Sequence, residues 1–176
     1  MIKLGLVGVF VAMVGCGSDG AGTGPITASN AQAGCEAGCQ HDKECNPTST
    51  QTVEACTAEC VAGVSGGGVR EDAFEELATC LAQQACTATD DVCFATCEPT
   101  SAHDGFEAAC RAKLAECGAA ADSVDSACET TPSGGDQGFL CLFTPAVMNE
   151  LAACMDLACT AIEDCYGTVS AKYGLN

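Results

Sequence analysis

The chain has 176 residues and a strong acidic excess, since 24 Asp and Glu stand against 6 Lys and Arg and the formal net charge is −18. This charge opposes binding to nucleic acid and to anionic lipid head groups, and it favours solubility. The simplest interpretation is a solvated acidic exterior, which could also attract cations or a basic protein partner. The length suits one domain behind an N-terminal extension.

The first predicted element is an export segment. Lys3 provides a short positive region, and residues 4–14 follow without a charged side chain. This apolar run has the length of a signal-peptide core, whereas a membrane-spanning helix needs about 20 apolar residues. Gly15 and Cys16 end the run. The sequence MVGC at residues 13–16 resembles the lipobox of bacterial lipoproteins, in which a small residue precedes the cysteine that is acylated.

The lipobox resemblance implies an address for the protein. Residues 1–15 would be removed as a signal peptide, and Cys16 would carry a lipid that anchors the chain to a membrane. In that family an Asp after the lipidated cysteine often retains the protein at the inner membrane. Gly17 occupies that position, which implies the outer membrane, on its periplasmic or surface face. Residues 16–34 are rich in Gly, Ser, Thr and Ala, and this composition predicts a flexible tether.

The chain after residue 15 is poor in large apolar residues and rich in cysteine. Leu, Ile, Val and Phe make up 23 of its 161 residues, whereas sixteen cysteines remain beyond Cys16. So few apolar residues and so much charge are typical of disorder, but this cysteine density indicates a disulfide scaffold. Sixteen is an even number, and export leads to an oxidising compartment. We therefore predict that disulfides replace much of the missing core by restricting the unfolded chain.

Segments rich in Ala, Glu, Gln and Leu between turn residues predict an all-α fold of two or three disulfide-stapled antiparallel helical hairpins. We expect a first hairpin at residues 35–64, a Gly-rich linker at 65–70 and a cysteine-rich helical region at 71–176. Within this last region, residues 76–93 and 150–165 share the elements ELA, CTA and a final Asp and cysteine. This similarity indicates an internal repeat.

Two helix starts are also predicted. Ser101 with Asp104 resembles a capping box, in which two side chains satisfy the first backbone N–H groups of a helix. Thr144 followed by Pro145 predicts an N-cap with a proline in the first turn.

Cysteine spacing predicts the first hairpin. Cysteines four residues apart lie on one face of a helix, so two such pairs on antiparallel helices can be joined twice. Symmetry about the Asn-Pro-Thr turn at residues 46–48 joins Cys35 to Cys60 and Cys39 to Cys56. This arrangement resembles the twin CX3C helical hairpin of small disulfide-rich proteins, and the resemblance concerns shape only.

The same symmetry about later turns, with elimination for the last pair, predicts the remaining disulfides. They are Cys80–Cys97, Cys86–Cys93, Cys110–Cys159, Cys117–Cys154, Cys128–Cys141 and Cys45–Cys165. The internal repeat supports a rival pair, Cys159–Cys165, because it would match Cys86–Cys93. Both sets stay open at this point, since sixteen cysteines allow about two million pairings by simple counting.

The sequence carries no recognised catalytic or cofactor motif. No two cysteines have the CxxC spacing of redox or zinc-ribbon motifs, and no phosphate loop or nucleophile elbow is found. His41 and His103 are most simply interpreted as surface residues on acidic helices. We therefore predict no enzyme activity, no cofactor and no resident metal.

The favoured function is that of a non-catalytic lipoprotein of the cell envelope, a binding or structural module with an acidic surface. The alternative is sequestration of copper or zinc by free thiolates, because helices with inward-facing CxxxC stripes also occur in copper storage bundles. An enzyme is a third and less favoured interpretation.

Overall fold

The structure, a computed structural model, describes residues 24–87, 93, 97–130 and 138–175. Its regular elements in these ranges are α-helices and two 3₁₀ helices, at Gly138–Leu142 and Cys159–Ala161, so the prediction of an all-α fold is confirmed. The predicted signal peptide 1–15 and Cys16 lie outside the described residues. The α-helices are α1 (Ala28–Cys45), α2 (Val53–Val64), α3 (Glu71–Gln83), α4 (Ser101–Glu116), α5 (Ala121–Cys128), α6 (Pro145–Cys154) and α7 (Ile162–Tyr173).

Threonine side chains cap the N-termini of three of these helices. Thr27, Thr52 and Thr144 each accept a hydrogen bond from a backbone N–H in the first turn of α1, α2 and α6. Such a cap satisfies one of the donors that have no partner within the helix. Pro145 occupies the first position of α6, where its missing N–H costs nothing. The predicted cap at Thr144 and Pro145 is confirmed.

The predicted capping box at the start of α4 is one residue out of register. The N-cap is Thr100 and not Ser101, and the reciprocal residue is His103 and not Asp104. The backbone N–H of Thr100 donates to Nδ1 of His103 at 3.1 Å. An imidazole nitrogen thus performs the role for which the sequence pattern favours a carboxylate.

Ordered structure begins earlier than the predicted tether allows. Ile26 is 2% exposed in a cluster with Ala31 and Phe74, and Pro25 forms an antiparallel bridge with Arg70. The prediction of a flexible tether is therefore wrong for residues 24–34, because a buried side chain and a capped helix fix that part of the chain. The earlier part of the predicted tether, residues 16–23, lies outside the described residues.

The helices form two lobes with a common plan. In the N-terminal lobe (residues 24–87 with Cys93), α1 packs against both α2 and α3. In the C-terminal lobe (residues 101–130 and 138–175), α4 packs against both α5 and α6, and α7 packs on α6. The first helix of each lobe is therefore central, and a third helix joins what the sequence predicts as a two-helix hairpin.

The internal repeat extends beyond the segment in which the sequence reveals it. Arg70 is the N-cap of α3 and Thr144 is the N-cap of α6, and this shared position aligns the two helices without a gap. The aligned residues include Ala73 with Val147, Phe74 with Met148, Leu77 with Leu151 and Cys80 with Cys154.

The two lobes meet through equivalent residues. Val69 and Phe143, which precede the caps of α3 and α6, pair with each other in an isolated antiparallel bridge. The two backbone hydrogen bonds of this bridge exchange places under the repeat alignment, so the junction has a local pseudo-two-fold relation. They run from Arg70 N to Leu142 O and from Thr144 N to Gly68 O, each at 2.8 Å.

The Gly-rich segment at residues 65–70 is a packed part of this junction, whereas the sequence predicts a linker. A Cβ atom at Gly66 would lie 2.4 Å from the carbonyl oxygen of Tyr173, and one at Gly68 would lie 2.7 Å from Cδ2 of Leu175. Glycine is therefore needed because the end of α7 approaches this backbone closely.

Candidate functional site

The sixteen cysteines from Cys35 to Cys165 form eight disulfides, and these dominate the chemistry of the described residues. Their Cα–Cα distances of 5.1 to 6.1 Å lie within the range of ordinary disulfides. The pairs are Cys35–Cys60, Cys39–Cys56, Cys45–Cys86, Cys80–Cys93, Cys97–Cys141, Cys110–Cys128, Cys117–Cys159 and Cys154–Cys165.

The structure contains both disulfides predicted for the first hairpin, Cys35–Cys60 and Cys39–Cys56. Symmetry about a turn identifies them because α1 and α2 are consecutive antiparallel helices. A short turn brings their facing residues together in reverse order.

The other predicted pairs are wrong. In the structure these cysteines have other partners, and none of the following predicted pairs is formed: Cys80–Cys97, Cys86–Cys93, Cys110–Cys159, Cys117–Cys154, Cys128–Cys141, Cys45–Cys165 and the rival Cys159–Cys165. Turn symmetry fails for Cys45 and Cys117 because the central helix of each lobe also packs on the third helix, which is not its neighbour in the chain. For Cys110–Cys128 the predicted turn is the wrong one, since α4 ends at Glu116 and Cys128 lies on the next helix, α5.

Six of the eight observed pairs obey the internal repeat instead, whereas Cys35–Cys60 and Cys97–Cys141 have no counterpart. Among the six, each lobe has one link from the first to the second helix, one from the end of the first helix to the segment after the third, and one from the third helix onward. Their sequence separations are 17 and 18, 41 and 42, and 13 and 11 residues in the N- and C-terminal lobes. The repeat was therefore the better guide, but it had to be applied to all pairs together.

A buried polar centre lies where the lobes join. Arg70 is 4% exposed, and its Nη1 donates to the carbonyl oxygens of Glu98 and Cys141 at 2.8 and 3.2 Å. Its Nη2 pairs with Asp72 at 2.6 Å. The Cys97–Cys141 disulfide crosses the same region. These contacts satisfy a buried guanidinium and tie the start of α3 to the chain on either side of α4.

His103 belongs to this centre and is wholly buried, so its interpretation as a surface residue is wrong. Its Nε2 lies 3.2 Å from the carbonyl oxygen of Leu140, and its Nδ1 lies 2.8 Å from Oγ1 of Thr100. Burial lowers the pKa of His103, and the nearby charge of Arg70 lowers it further. The imidazole is therefore neutral near pH 7 and serves as a helix cap and a link to the 3₁₀ helix at Gly138–Leu142.

His41 lies beside an accessible disulfide. His41 and Cys45 are one turn apart on α1, and Nε2 of His41 is 3.4 Å from Sγ of Cys45. The partner cysteine, Cys86, follows α3 and is exposed. The ligand atoms of these three residues all lie within 4.8 Å of one another. We call this group the His41 cluster.

The C-terminal lobe carries the matching disulfide without the histidine. Cys117–Cys159 also joins a half-buried to an exposed cysteine. Four residues before Cys117 stands Lys113, whose Nζ lies 3.1 Å from Glu116. Lysine offers donors only at neutral pH, whereas neutral imidazole offers a lone pair. The two lobes therefore place different chemistry beside equivalent disulfides.

The basic residues after Lys3 are all engaged within the protein. Arg70, Arg111, Lys113 and Lys172 form ion pairs with carboxylates, and Lys43 donates to the carbonyl oxygen of Ser49 at 2.5 Å. Exposed carboxylates such as Glu36, Glu54 and Glu163 greatly outnumber these basic groups. The surface potential of the described region is therefore negative.

No family model, no curated protein and no solved structure matches this chain. Among the described helices, none is both long enough and apolar enough to cross a bilayer.

Proposed function

We propose that this protein is a non-catalytic, disulfide-stabilised binding or structural module of the bacterial cell envelope, held by a lipid on Cys16. The observation that supports this proposal most directly is the mutual pairing of the sixteen cysteines from Cys35 to Cys165. Such a scaffold needs an oxidising compartment, which export provides. None of those sixteen thiols is left to pair with Cys16, which agrees with a thiol reserved for acylation.

The same pairing argues against thiolate sequestration of copper or zinc as the main role. Thiolate, and not disulfide sulfur, is the ligand of soft metal ions. A protein that stores metal through its cysteines would have to open this framework first.

The intact mass of the protein, expressed in a bacterium with an outer membrane, tests the proposed lipidation and location. We expect protein from the membrane fraction to lack residues 1–15, to carry acyl chains and to gain two hydrogens per disulfide on reduction. The variant Cys16→Ser should carry no acyl chain and, because acylation precedes cleavage in a lipobox, should retain residues 1–15. Cys86→Ser is the matched control, because it removes an exposed cysteine without touching the lipobox. Wild-type protein from the membrane fraction that retains residues 1–15 would contradict the proposal.

The acidic exterior is the contact surface that we assign to this module, with a basic protein or polyamine as its partner. Binding to a basic model peptide should weaken steeply between low and physiological salt, because ions screen exposed charges within about 8–10 Å. Binding that does not depend on salt, or a hydrolytic activity that copurifies with the intact protein, would contradict this assignment.

A further inference from the structure

The His41 cluster combines a histidine nitrogen with two cysteine sulfurs at a solvent-accessible position. Cys45 is half-buried and Cys86 is exposed, so a small dithiol can approach their bond. Most of the other disulfides include at least one buried cysteine, and Cys117–Cys159 is the comparable accessible case. The cluster is thus the place in the N-terminal lobe where a disulfide can be opened with least disturbance of the core.

We propose that reduction of Cys45–Cys86 converts the His41 cluster into a binding site for one thiophilic metal ion, with Zn²⁺ as the reference ion. The ligands are Nε2 of His41 and the thiolates of Cys45 and Cys86. Three protein ligands of this N and S type leave one tetrahedral position open for water or a further ligand. The inference does not rest on lipidation at Cys16, because all three residues lie in the N-terminal lobe.

The distances fit this coordination. Zinc bonds of about 2.3 Å to sulfur and 2.0–2.1 Å to nitrogen place a tetrahedral N and S pair about 3.6 Å apart. Nε2 of His41 and Sγ of Cys45 are already 3.4 Å apart. Once the Cys45–Cys86 disulfide is broken, the sulfurs of Cys45 and Cys86 need to separate only to about 3.8 Å to share one ion. Asp42 and Glu44, which are exposed and lie between His41 and Cys45 in the sequence, favour an increased local concentration of cations.

The reaction has two steps that balance. In the first step an external dithiol gives two electrons to the Cys45–Cys86 bond and is itself oxidised to a disulfide, while the two released sulfurs end as thiols. In the second step Zn²⁺ displaces both thiol protons, and neutral His41 donates its lone pair. Exchange with an external disulfide, which takes up the two electrons and becomes a dithiol, would reoxidise the two thiolates, release the ion and restore the scaffold.

The repeat supplies a matched pair of variants. His41→Lys puts into the N-terminal lobe the residue that the C-terminal lobe has at the equivalent position, and Lys113→His makes the reverse exchange. If imidazole is the deciding ligand, the first change removes a zinc site and the second creates one beside Cys117–Cys159. The second change is a gain of binding, which a misfolded variant would not produce.

The experiment uses the full chain purified without reductant and then treated with increasing amounts of a phosphine reductant. Mass spectrometry of alkylated peptides identifies the opened disulfides, and a competing chromophoric chelator measures Zn²⁺, with Mg²⁺ as the negative control ion. We expect one Zn²⁺ per opened Cys45–Cys86 pair, at least tenfold weaker binding in His41→Lys and His41→Gln, and no such site in Cys45→Ser/Cys86→Ser. Lys113→His should bind a second ion once Cys117–Cys159 is opened.

Two results would overturn the proposal. The first is equal zinc affinity in the wild type and in both His41 variants, when their oxidised forms have the same helical circular dichroism. The second is a Cys45–Cys86 bond that stays oxidised until the whole protein unfolds, because the site would then never form in a folded chain.

Discussion

In the N-terminal lobe the buried Cys35 reaches from α1 to Cys60, whereas in the C-terminal lobe the matching position on α4 holds the buried ring of Phe106. Both residues stand four before the cysteine that links the central helix to the second helix, Cys39 or Cys110. Helix α3 contributes the buried Ala73 where α6 contributes the buried Val147. One lobe therefore uses a covalent link where the other uses apolar bulk.

The comparison of the two lobes revises the expectation that disulfides replace much of a missing hydrophobic core. The C-terminal lobe buries Phe106, Val147, Met148, Leu151 and Val169 in one cluster. The N-terminal cluster is smaller and relies on residues such as Ala31, Cys35 and Ala78. Burying one large apolar side chain stabilises a fold by about 1.5–3 kcal/mol, and a disulfide contributes about 2–4 kcal/mol through the unfolded state. The two solutions are similar in size, so a duplicated unit can exchange one for the other.

Complete reduction and alkylation should have the largest effect and should separate the lobes. Eight links of about 2–4 kcal/mol each, even if far from additive, are comparable with the 5–15 kcal/mol by which domains are usually stable. We expect the amides of α1–α3 to exchange like an unstructured chain, while the amides of α4 and α6 keep measurable protection. Hydrogen exchange with mass spectrometry measures both lobes at once. Unchanged helical signal and melting temperature after reduction would end the scaffold interpretation.

Phe106→Ala should be the most damaging single substitution among the apolar positions of the C-terminal lobe. Removing a fully buried phenylalanine costs about 3–5 kcal/mol, because it loses transfer free energy and leaves a cavity. Phe139→Ala is the control, since Phe139 is 42% exposed, and its cost should stay within about 0.5 kcal/mol. Chemical denaturation of the oxidised protein measures both. Equal costs would mean that the cluster around Phe106 does not support the lobe.

The paired change Cys35→Ala/Cys60→Ala removes the N-terminal counterpart of Phe106. We expect a loss of about 2–4 kcal/mol, chiefly because the unfolded chain regains the freedom of the closed loop. Denaturation should show the loss in the N-terminal lobe, and the protection of α4 amides should be unaffected. If α4 loses as much protection as α1, the lobes unfold as one unit and the comparison fails as a statement about local stability.

The smallest change that we expect is a pH dependence at the junction. The folded pKa of His103 lies below its unfolded value near 6.5, because of burial and the charge of Arg70. The unfolded chain therefore binds more protons in this range, so the stabilisation is complete above about pH 6.5 and declines as the pH falls below it. His103→Gln should flatten this slope between pH 5 and 6.5. The free energy of unfolding against pH provides the test.

Local patterns predicted the features that depend on neighbouring residues. Threonine followed by proline marks the start of α6 because cap and first-turn geometry involve a few adjacent residues. The disulfides of the first hairpin followed from spacing because one short turn determines which residues of α1 and α2 face each other. The similarity between residues 76–93 and 150–165 also indicated the duplication. Its consequence for the disulfide pairs depends on the packing of both lobes.

Local patterns did not predict the disulfides between residues that are far apart in the chain. Cys45–Cys86, Cys117–Cys159 and Cys97–Cys141 span 41, 42 and 44 residues. Spacing on a helix tells which face a cysteine occupies, but it does not tell which other helix that face meets. The surface interpretation of His103 is wrong for the same reason, since its side chain contacts the distant chain at Leu140.

The sequence by itself thus determined the helical class, the first hairpin and the presence of a repeat, because helix propensity, capping and turn closure act over a few residues. Only the tertiary structure decided the six remaining disulfides, the buried centre at Arg70 and His103, and the placement of His41 beside an accessible bond. These features depend on how three helices pack around a central one, where many arrangements satisfy the same local rules and the buried contacts select among them.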